Sequence, residues 1–502
     1  MSTDYNIGLA ILGAVLTRRE LLKAAALAAA TPRSAAFAAV TGEVVNDIHS
    51  GLNPTRVAAI ERPLTLDELR TSIRRAARRD RAVSMAGGRH SMGGQEFGSG
   101  TVLIDTRGLD RVLGFDPITG HVEVEAGIEW PPLIQRILEL QKGSESQWAI
   151  AQKQTGADRL TLGGGLSANI HGRGLTLRPL IGNVAAFQLV DAKGKLLHCS
   201  REENSELFRL AIGGYGLFGV IYSVTLQLSP RRKLERIVEV VTAESLADRF
   251  EQRIADGFLY GDFQFAIDPK SEDFLRRGVF SSYRPVSDTT AMPASQRELS
   301  DDDWKELIYL AHADKSKAFD RYASYYLSTN GQLYWSDTHQ LSPYFDGYHQ
   351  SIDQRLHSPP ASEVLTELYV PRARLNDFLT SSAAALRDHG DEVIYGTVRL
   401  IERDDETVLA WARQRYACIV INLHVVHTPE RQRRAADAFR RLIDLAIERG
   451  GSFYLTYHRH ATRAQIEVCY PRFAEFLRKK LEFDPGERFQ SEWYRHYRRL
   501  FA

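Results

Sequence analysis

Residues 161–174, TLGGGLSANIHGRG, decide the fold when they are taken together with two other glycine clusters in the first half of the chain. These are AGGRHSMGG at residues 86–94 and GGYGLFG at residues 213–219. Glycine lets a backbone approach a phosphate closely and direct its N–H groups towards it. One cluster is weak evidence, because glycine turns occur in every β-rich domain. Three clusters in one region favour a site for a pyrophosphate-containing cofactor.

None of the three clusters matches a standard nucleotide-binding motif. No G-x-G-x-x-G follows a predicted strand and opens a helix with an acidic residue about 20 positions later. The cluster at residues 213–219 leads into a predicted strand instead, and the sequence contains no Walker loop. NAD and ATP are therefore disfavoured as cofactors.

The segments around the glycine clusters alternate between short predicted strands and helices. Residues 64–80 have helical spacing, with Thr65 or Asp67 as a possible cap. Residues 130–141 form a second predicted helix with proline in its first turn, and residues 185–199 form a predicted hairpin. Short mixed elements with many glycine turns predict an α+β domain, not a doubly wound one.

The second half of the chain has longer amphipathic segments. Its predicted strands are IVEVVTA, DFQFAID, VLTELYVP, EVIYGTVRLIE, CIVINLHVV and SFYLTYH. Helices such as residues 429–450 separate some of them, which predicts a mainly antiparallel sheet covered by helices on one face. We therefore divide the chain into a cofactor domain at residues 42–230, a substrate-binding cap domain at 231–465, and a C-terminal segment at 466–502 that returns to the first domain.

Composition excludes several classes of function. Lys and Arg (64) almost balance Asp and Glu (63), so the electrostatic field of a nucleic-acid-binding protein is not expected. The three cysteines, Cys199, Cys418 and Cys469, form no CxxC pair, and we expect no metal site and no disulfide framework. No apolar run approaches the roughly 18–20 residues of a membrane helix. The proportions, 43% hydrophobic and 25% charged, are those of a soluble globular chain.

The first 41 residues have the pattern of a targeting signal. Arg18 and Arg19 in TRRELLK precede a short apolar stretch that ends in AAFA at residues 35–38. This order is typical of twin-arginine export, which carries folded proteins. An amphipathic N-terminal helix is the alternative. We expect the mature protein in the periplasm or outside the cell.

The order of these motifs resembles that of the vanillyl-alcohol-oxidase-like flavoproteins, whose FAD-binding domain is of the PCMH type. The resemblance covers about residues 54–229. The second half is similar to the sugar-oxidising branch, which includes alditol oxidases, aldonolactone oxidases and the decaprenylphosphoryl-ribose oxidase. It rests on LTELYVPR at residues 365–372, YGTVRLIERDDE at 395–406 and YPRFAEFLRKKLEFDP at 470–485.

The resemblance implies FAD as the cofactor and assigns residues to each part of it. The residues expected around the pyrophosphate are Gly87, Gly88, Arg89, His90 and Ser91. Those expected along the ribityl chain and flavin are Gly163, Gly164, Ser167, Asn169, His171 and Gly172. Those expected on the adenine side are Gly216, Gly219 and Val220. His90 falls on the histidine that bonds covalently to the flavin in alditol and gulonolactone oxidases. A histidine that only hydrogen-bonds the pyrophosphate is the alternative.

The resemblance also implies a catalytic pair, Glu367 and Arg399, on neighbouring strands over the flavin. Oxidation of C–OH needs hydride transfer and removal of a proton, which a base or a nearby cation assists. Arg399 lies in an apolar strand, where a charge requires a partner or a ligand. A purely structural ion pair is the alternative. As the catalytic acid or base we select His458, with Tyr457 and His424 as alternatives. The segment at residues 319–350 is rich in aromatic residues, which suit either a lid over a sugar or a hydrophobic contact.

From these features we expect an FAD-dependent oxidoreductase that oxidises a C–OH group of a sugar, polyol or aldonolactone. The electron acceptor is either O₂ or a redox partner such as a quinone or cytochrome. Ile170, beside His171, bears on this choice because a bulky side chain near the flavin blocks oxygen. A non-catalytic carbohydrate-binding envelope protein is the alternative from another class.

Overall fold

The computed structural model describes residues 42–342, 345 and 347–502. These residues form helices and mostly antiparallel sheets, so the predicted α+β class is confirmed. Arg18, Arg19 and the rest of the expected export signal lie outside the described residues. No helix in the described part of the chain combines the length and the apolar character needed to cross a bilayer.

The first half of the described chain contains twelve strands and four helices. The strands are β1 (Glu43–Val45), β2 (Thr55–Val57), β3 (Ala59–Glu61), β4 (Val83–Ala86), β5 (Val102–Asp105), β6 (Val112–Asp116), β7 (His121–Glu125), β8 (Trp148–Ala149), β9 (Val184–Val190), β10 (Leu196–Ser200), β11 (Val220–Gln227) and β12 (Ser229–Pro230). The helices are α1 (Leu66–Arg78), α2 (Trp130–Leu140), α3 (Leu162–Ala168) and α4 (Ser205–Ala211).

Two sheets organise this half of the chain. Strands β3, β5 and β4 form a parallel sheet, whereas β10, β9, β11, β7 and β6 form an antiparallel one in that order. The Thr65 hydroxyl caps α1 by accepting a hydrogen bond from the Glu68 backbone N–H at 3.2 Å, which confirms the predicted start of this helix. The predicted hairpin at residues 185–199 is the β9–β10 pair.

The second half contains eight strands and nine helices. The strands are β13 (Lys233–Thr242), β14 (Tyr260–Phe265), β15 (Arg277–Pro285), β16 (Leu333–Trp335), β17 (Ala361–Pro371), β18 (Val393–Ile401), β19 (Tyr416–Val426) and β20 (Ser452–Phe453). The helices are α5 (Ala243–Ala255), α6 (Asp301–Ala313), α7 (Lys315–Ser328), α8 (Tyr348–Leu356), α9 (Leu375–Asp388), α10 (Pro429–Ile447), α11 (Arg463–Cys469), α12 (Phe473–Phe483) and α13 (Glu492–Phe501).

These strands form one eight-stranded antiparallel sheet in the order β16-β13-β15-β14-β18-β19-β17-β20. Helices cover both of its faces, whereas the sequence predicted helices on one face only. Phe280 of β15 packs against Phe250 of α5, while its neighbour Val279 belongs to one hydrophobic cluster with Leu307 of α6. Because successive strand residues point to opposite faces, α5 and α6 lie on opposite sides of the sheet.

The last predicted strand of the cap domain, residues 452–458, is much shorter than expected. β20 ends at Phe453, and one further ladder contact follows, from the Tyr454 N–H to the Glu367 carbonyl at 3.0 Å. Residues 454–458 then leave the sheet as a loop. This departure determines which of their side chains reach the site described below.

The C-terminal segment lies against the first half of the chain. The Val83 N–H donates to the Arg488 carbonyl at 2.6 Å, and the Gln490 N–H donates to the Val83 carbonyl at 2.9 Å. Further along, the Trp493 N–H donates to the Gly94 carbonyl at 3.1 Å, at the end of the first glycine cluster. The segment therefore supports the loop at residues 86–94 from outside.

Candidate active site

Two cavities adjoin over one face of the eight-stranded sheet. The glycine cavity, of about 230 Å³, is lined by residues of all three glycine clusters. The sheet cavity, of about 480 Å³, is lined by side chains of the sheet and of α6 and α7. The residues that line both are His49, Thr155, Gly156, Leu365, Arg399 and Tyr457.

The glycine loops pack so closely that side chains are excluded. A Cβ at Gly87 would lie 2.0 Å from the Thr161 Oγ1, and one at Gly88 would lie 2.2 Å from the Arg159 carbonyl oxygen. The Thr161 hydroxyl itself caps α3 by accepting a hydrogen bond from the Gly164 N–H at 3.2 Å. The first two clusters therefore meet at a single capped helix end, and glycine is required there because the loop backbone lies directly against the Thr161 side chain and the Arg159 carbonyl.

His90 lies in the wall of the glycine cavity and is paired with a second histidine. Its Nδ1 is 3.1 Å from the His49 Nε2. Burial, assisted by His49 and Arg159, lowers the pKa of His90 to about 3, and burial also lowers the pKa of His49. Both rings are therefore neutral at pH 7, and the contact between them is a hydrogen bond between two uncharged imidazoles.

Glu367 of β17 lines the glycine cavity and is held there by two other side chains. Its Oε1 is 2.5 Å from the His171 Nε2, and its Oε2 accepts a hydrogen bond from the Tyr457 hydroxyl at 3.3 Å. The His171 Nδ1 is 3.0 Å from the Gly172 carbonyl, which can only accept, so Nδ1 carries a proton. The contacts with His171 and Tyr457 fix the carboxyl group from both sides.

The pKa values of this cluster define which groups are charged. Burial alone would raise the pKa of the Glu367 carboxyl. The interactions with His171 and then Arg399 lower this pKa by more than burial raises it, so the net shift is downward. Burial and the neighbouring Glu367 charge raise the pKa of Tyr457 well above its usual range. At neutral pH Tyr457 is therefore a hydrogen-bond donor and Glu367 is the acceptor.

Arg399 of β18 faces the same cavity junction. Only 8% of its surface is exposed, and its Nε has no hydrogen-bond partner among the described residues. No carboxylate in the described part of the chain forms an ion pair with it. The resemblance implied that Glu367 and Arg399 lie on neighbouring strands. They do not, because β19 pairs with both of their strands and lies between them. Both residues nevertheless share one face of the sheet.

The comparisons with known proteins fit this arrangement. Residues 57–200 match the family model described as FAD binding domain. The L-gulono-1,4-lactone dehydrogenase of Mycobacterium tuberculosis is 31% identical over 227 residues, which are 45% of this chain and 49% of that protein. The L-gulonolactone oxidase of Bos taurus is 24% identical over 437 residues, 86% of this chain and 93% of that protein. A cytokinin dehydrogenase of Oryza sativa subsp. japonica is 29% identical over 199 residues, 37% of this chain and 36% of that protein.

The matched segment contains the first two glycine clusters, and it decides the identity of the cofactor. Residues 57–200 are an FAD-binding domain. The alignment spans about half the length of the mycobacterial relative, so the identification concerns the domain and its cofactor.

The residues that line the glycine cavity fit those expected to hold FAD. Gly87 and Gly88 line the cavity, and a Cβ at either would collide with Thr161 or Arg159, so glycine lets this loop lie in the cavity wall. Most of the residues that the sequence assigned to FAD line this cavity. They are Gly87, Gly88, Arg89, His90, Ser91, Gly163, Gly164, Ser167, His171, Gly216 and Val220. Their roles in holding the cofactor remain predictions.

Three of the assigned residues do not line the cavity and have structural contacts instead. The Asn169 side chain donates to Asp404 at 3.0 Å and accepts from the Ile181 N–H at 3.1 Å. A Cβ at Gly172 would lie 2.7 Å from the Lys153 carbonyl, and one at Gly219 would lie 2.3 Å from the Leu189 Cδ2. These residues allow close packing behind the FAD-binding loops.

The structure distinguishes between the candidates for the catalytic acid or base. Tyr457 lines both cavities, but His458 and His424 line neither. The His458 ring stacks near His460 at 5.4 Å, and burial lowers its pKa to about 4. His424 lies against His312, with ring centroids 4.9 Å apart. The geometry brings Tyr457, not the selected His458, to Glu367 and Arg399.

Sequence reasoning missed several residues of the site. His49 lies outside every glycine motif and is found only through its contact with His90. Cys418 pairs with Arg399 across the β18–β19 ladder, and its thiol lies in one cluster with His171 and Glu367. Burial and the Glu367 charge raise the pKa of the Cys418 thiol well above its usual range, which makes it a poor metal ligand. We assign no metal to this cluster.

Proposed function

We propose that the protein is an FAD-dependent oxidoreductase that oxidises a C–OH group of a sugar, polyol or aldonolactone. The observation that carries the proposal is the position of Arg399 and Tyr457, which line both the FAD cavity and a second cavity large enough for such a substrate, next to Glu367 in the wall of the FAD cavity. The names of two relatives, a gulonolactone dehydrogenase and a gulonolactone oxidase, support a sugar lactone as the substrate type.

Each residue at the junction has a distinct role in this reaction. Oxidation removes a hydride from carbon and a proton from the hydroxyl oxygen, and FAD, when bound, supplies the hydride acceptor. The Arg399 guanidinium stabilises negative charge that develops on the substrate oxygen. The Glu367 carboxylate accepts the hydroxyl proton. Tyr457 and His171 hold that carboxylate in place by hydrogen bonds.

The test of this function is a screen of turnover. The purified protein is assayed with sugars, polyols and aldonolactones, first with air and then with an artificial electron-accepting dye or a quinone. Activity with air identifies an oxidase, whereas activity with the dye or quinone alone identifies a dehydrogenase. Ile170, only 6% exposed in the wall of the FAD cavity, favours the second outcome because it restricts the approach of oxygen. A carbohydrate-binding protein without chemistry would give no turnover with any acceptor.

We further propose that a ring nitrogen of His90 is bonded covalently to the 8α-methyl carbon of FAD. The ring N–H and one methyl C–H bond would break as the N–C bond forms, and the two electrons released would pass to the flavin and from it to the electron acceptor. The neutral ring expected from its lowered pKa is the nucleophilic form, and the hydrogen bond to His49 fixes its orientation. Acid precipitation of the wild-type protein should therefore give a yellow pellet and a fluorescent band after denaturing electrophoresis. His90→Ala should release its FAD into the supernatant. Wild-type FAD that appears in the supernatant would rule out the bond.

The paired variants Tyr457→Phe and His458→Gln distinguish the two neighbouring residues. Loss of the Tyr457 hydroxyl removes one hydrogen bond to Glu367, so we expect turnover to fall about 3- to 10-fold, equivalent to about 1 kcal/mol. His458→Gln should leave turnover unchanged because this ring lines neither cavity. The opposite result, a loss with His458→Gln and none with Tyr457→Phe, would restore the assignment made from the sequence.

We also propose that the protein is exported by the twin-arginine route. Replacement of Arg18 and Arg19 by lysine should leave the precursor inside the cell, because this route requires the arginine pair. Cell fractionation measures the distribution. An unchanged location of the double variant would contradict the proposal.

A further inference from the structure

The sheet cavity contains a pair of largely buried arginines in addition to Arg399. Arg236 of β13 is 8% exposed, and Arg173, in the loop after α3, has a side chain that is 13% exposed and also lines the cavity. The loop is fixed on the sheet because the Leu175 N–H donates to the Leu259 carbonyl and the Gly261 N–H donates to the Arg173 carbonyl, both at 2.9 Å. The two guanidinium groups are therefore set on one rigid surface.

Arg236 is surrounded by neutral groups. Its Nε donates to the Tyr283 hydroxyl and its Nη1 donates to the Thr329 hydroxyl, each at 3.0 Å. The guanidinium lies over the Tyr334 ring at 4.4 Å and the Tyr326 ring at 5.1 Å. Among the described residues no carboxylate forms an ion pair with Arg236. Its charge is buried without an acidic partner, which is unfavourable unless a ligand supplies one.

Arg173 is paired with one carboxylate, Asp262, and its Nη2 also donates to the His339 carbonyl. Its Nη1 is 3.3 Å from the Asp262 Oδ1, while its Nε has no hydrogen-bond partner in the described part of the chain. The remaining acid in the cavity wall, Glu363, is engaged elsewhere: its Oε2 accepts from Tyr348 at 2.6 Å and from Asn422 at 2.9 Å. Two arginines thus face one available carboxylate.

His339 adds an acceptor beside the arginine pair. Burial, together with the charges of Arg173 and Arg236, lowers its pKa well below its usual range, so the ring is neutral. Its Nδ1 is 3.2 Å from the Trp335 carbonyl and therefore carries the proton. The Nε2, which has no hydrogen-bond partner among the described residues, is left as an acceptor. A substrate hydroxyl next to a charged group would satisfy it.

We propose that Arg173 and Arg236 bind an anionic group of the substrate, a carboxylate or a phosphate, while the C–OH group to be oxidised lies at Arg399. This inference rests on the proposed function and narrows its substrate class to sugar acids or sugar phosphates. Asp262, the partner of Arg173, is on β14, which pairs directly with β18, the strand of Arg399. Adjacent strands are about 4.8 Å apart. Arg236, on β13, is three strands from β18, and Arg173, Arg236 and Arg399 line the same cavity, so an anion held by the arginine pair places the rest of the sugar chain towards Arg399.

The experiment measures binding to the FAD-loaded protein by calorimetry without oxygen or other acceptors. The probes are glucose, glucuronate, glucose 6-phosphate and inorganic phosphate. Charge-assisted hydrogen bonds to the arginines should make at least one anionic probe bind about 10- to 100-fold more tightly than glucose. Preference for glucuronate identifies a carboxylate site, and preference for glucose 6-phosphate and phosphate identifies a phosphate site. If no anionic probe binds more tightly than glucose, the proposal is wrong.

Three variants test the assignment of residues. Arg173→Gln and Arg236→Gln should each remove most of the anion preference, whereas Asp262→Asn should increase it because a competing negative charge is lost. Because Arg173→Gln should lower the anion preference and Asp262→Asn should raise it, these two variants decide the test even if Arg236→Gln fails to fold. Arg253→Gln is a matched control, since Arg253 also lies over an aromatic ring, Phe258 at 4.6 Å, but lines neither cavity. Preference that survives Arg173→Gln and does not rise in Asp262→Asn would overturn the proposal.

Failure of this inference is distinguishable from failure of the proposed function. If a neutral lactone or polyol is oxidised and no anionic probe is preferred, the function stands and the anion site is wrong. If no C–OH compound is oxidised, the function itself is wrong, whatever the probes show.

Discussion

Arg399→Ala should lower turnover about 100- to 1000-fold while the protein remains folded and yellow. The physical reason is the loss of a buried positive charge beside the oxygen that becomes negative during oxidation, an effect worth about 2.7–4 kcal/mol in comparable sites. In the described residues Arg399 has no ion-pair partner and its Nε has no hydrogen-bond partner, so its removal breaks no structural salt bridge. Turnover is measured with the best substrate of the screen, and FAD content by absorbance.

Arg399→Lys is the matched control for this prediction. It keeps the charge but loses the planar guanidinium, so we expect turnover between those of the wild type and the alanine variant. If Arg399→Ala retains activity within a few-fold of the wild type, Arg399 is structural and charge stabilisation must come from another group.

Gly87→Val should yield protein that has lost its FAD. A Cβ at this position would lie 2.0 Å from the Thr161 Oγ1 and 2.9 Å from the Thr161 Cβ, so the loop must move away from the capped end of α3. Displacing packed groups in this way typically costs about 1–3 kcal/mol of stability. The larger effect is on the cofactor, because both loops in contact here line the FAD cavity. The ratio of flavin to protein absorbance after purification measures it.

Gly114→Val is the matched control for the glycine prediction. A Cβ at Gly114, in β6, meets nothing within 4 Å, and this residue lines neither cavity. We expect normal FAD content. A fully yellow Gly87→Val protein would mean that close contact between the two loops is not needed for cofactor binding.

The glycine clusters, several strands and the start of α1 were predictable from sequence because their signals are local. Alternation in residues 121–125 and the Thr65 cap each depend on residues close in the chain. The order of the strands was not predictable. β18 and β17 are separated by β19 in the sheet, although β17 and β18 are consecutive in the sequence, because pairing depends on contacts between distant segments.

The choice between Tyr457 and His458 shows why side-chain direction was also unpredictable. In a regular strand, adjacent residues point to opposite faces, so a shift of one position exchanges their environments. β20 ends at Phe453, and the loop that follows has no fixed alternation. The loop directs Tyr457 to Glu367 and places His458 against His460. Only the three-dimensional path of residues 454–458 distinguishes the two.

The buried arginine pair was missed for a different reason. Arg173 lies within the glycine cluster at residues 161–174, which predicts only a loop, while Arg236 directly precedes the predicted strand at residues 237–243. Their proximity arises because the loop after α3 pairs with the start of β14, through the contact between Gly174 and Tyr260. No sequence pattern encodes this contact between the two halves of the chain.

The most direct test of the account is reduction of the bound flavin by substrate without oxygen. The yellow protein is mixed anaerobically with the best sugar, polyol or lactone of the screen, in ordinary form and with deuterium on the carbinol carbon. We predict that the yellow absorbance is lost in proportion to substrate and that deuterium slows the loss, because the C–H bond is broken as the flavin is reduced. A colourless protein, or a yellow protein that no C–OH compound bleaches, would contradict the account.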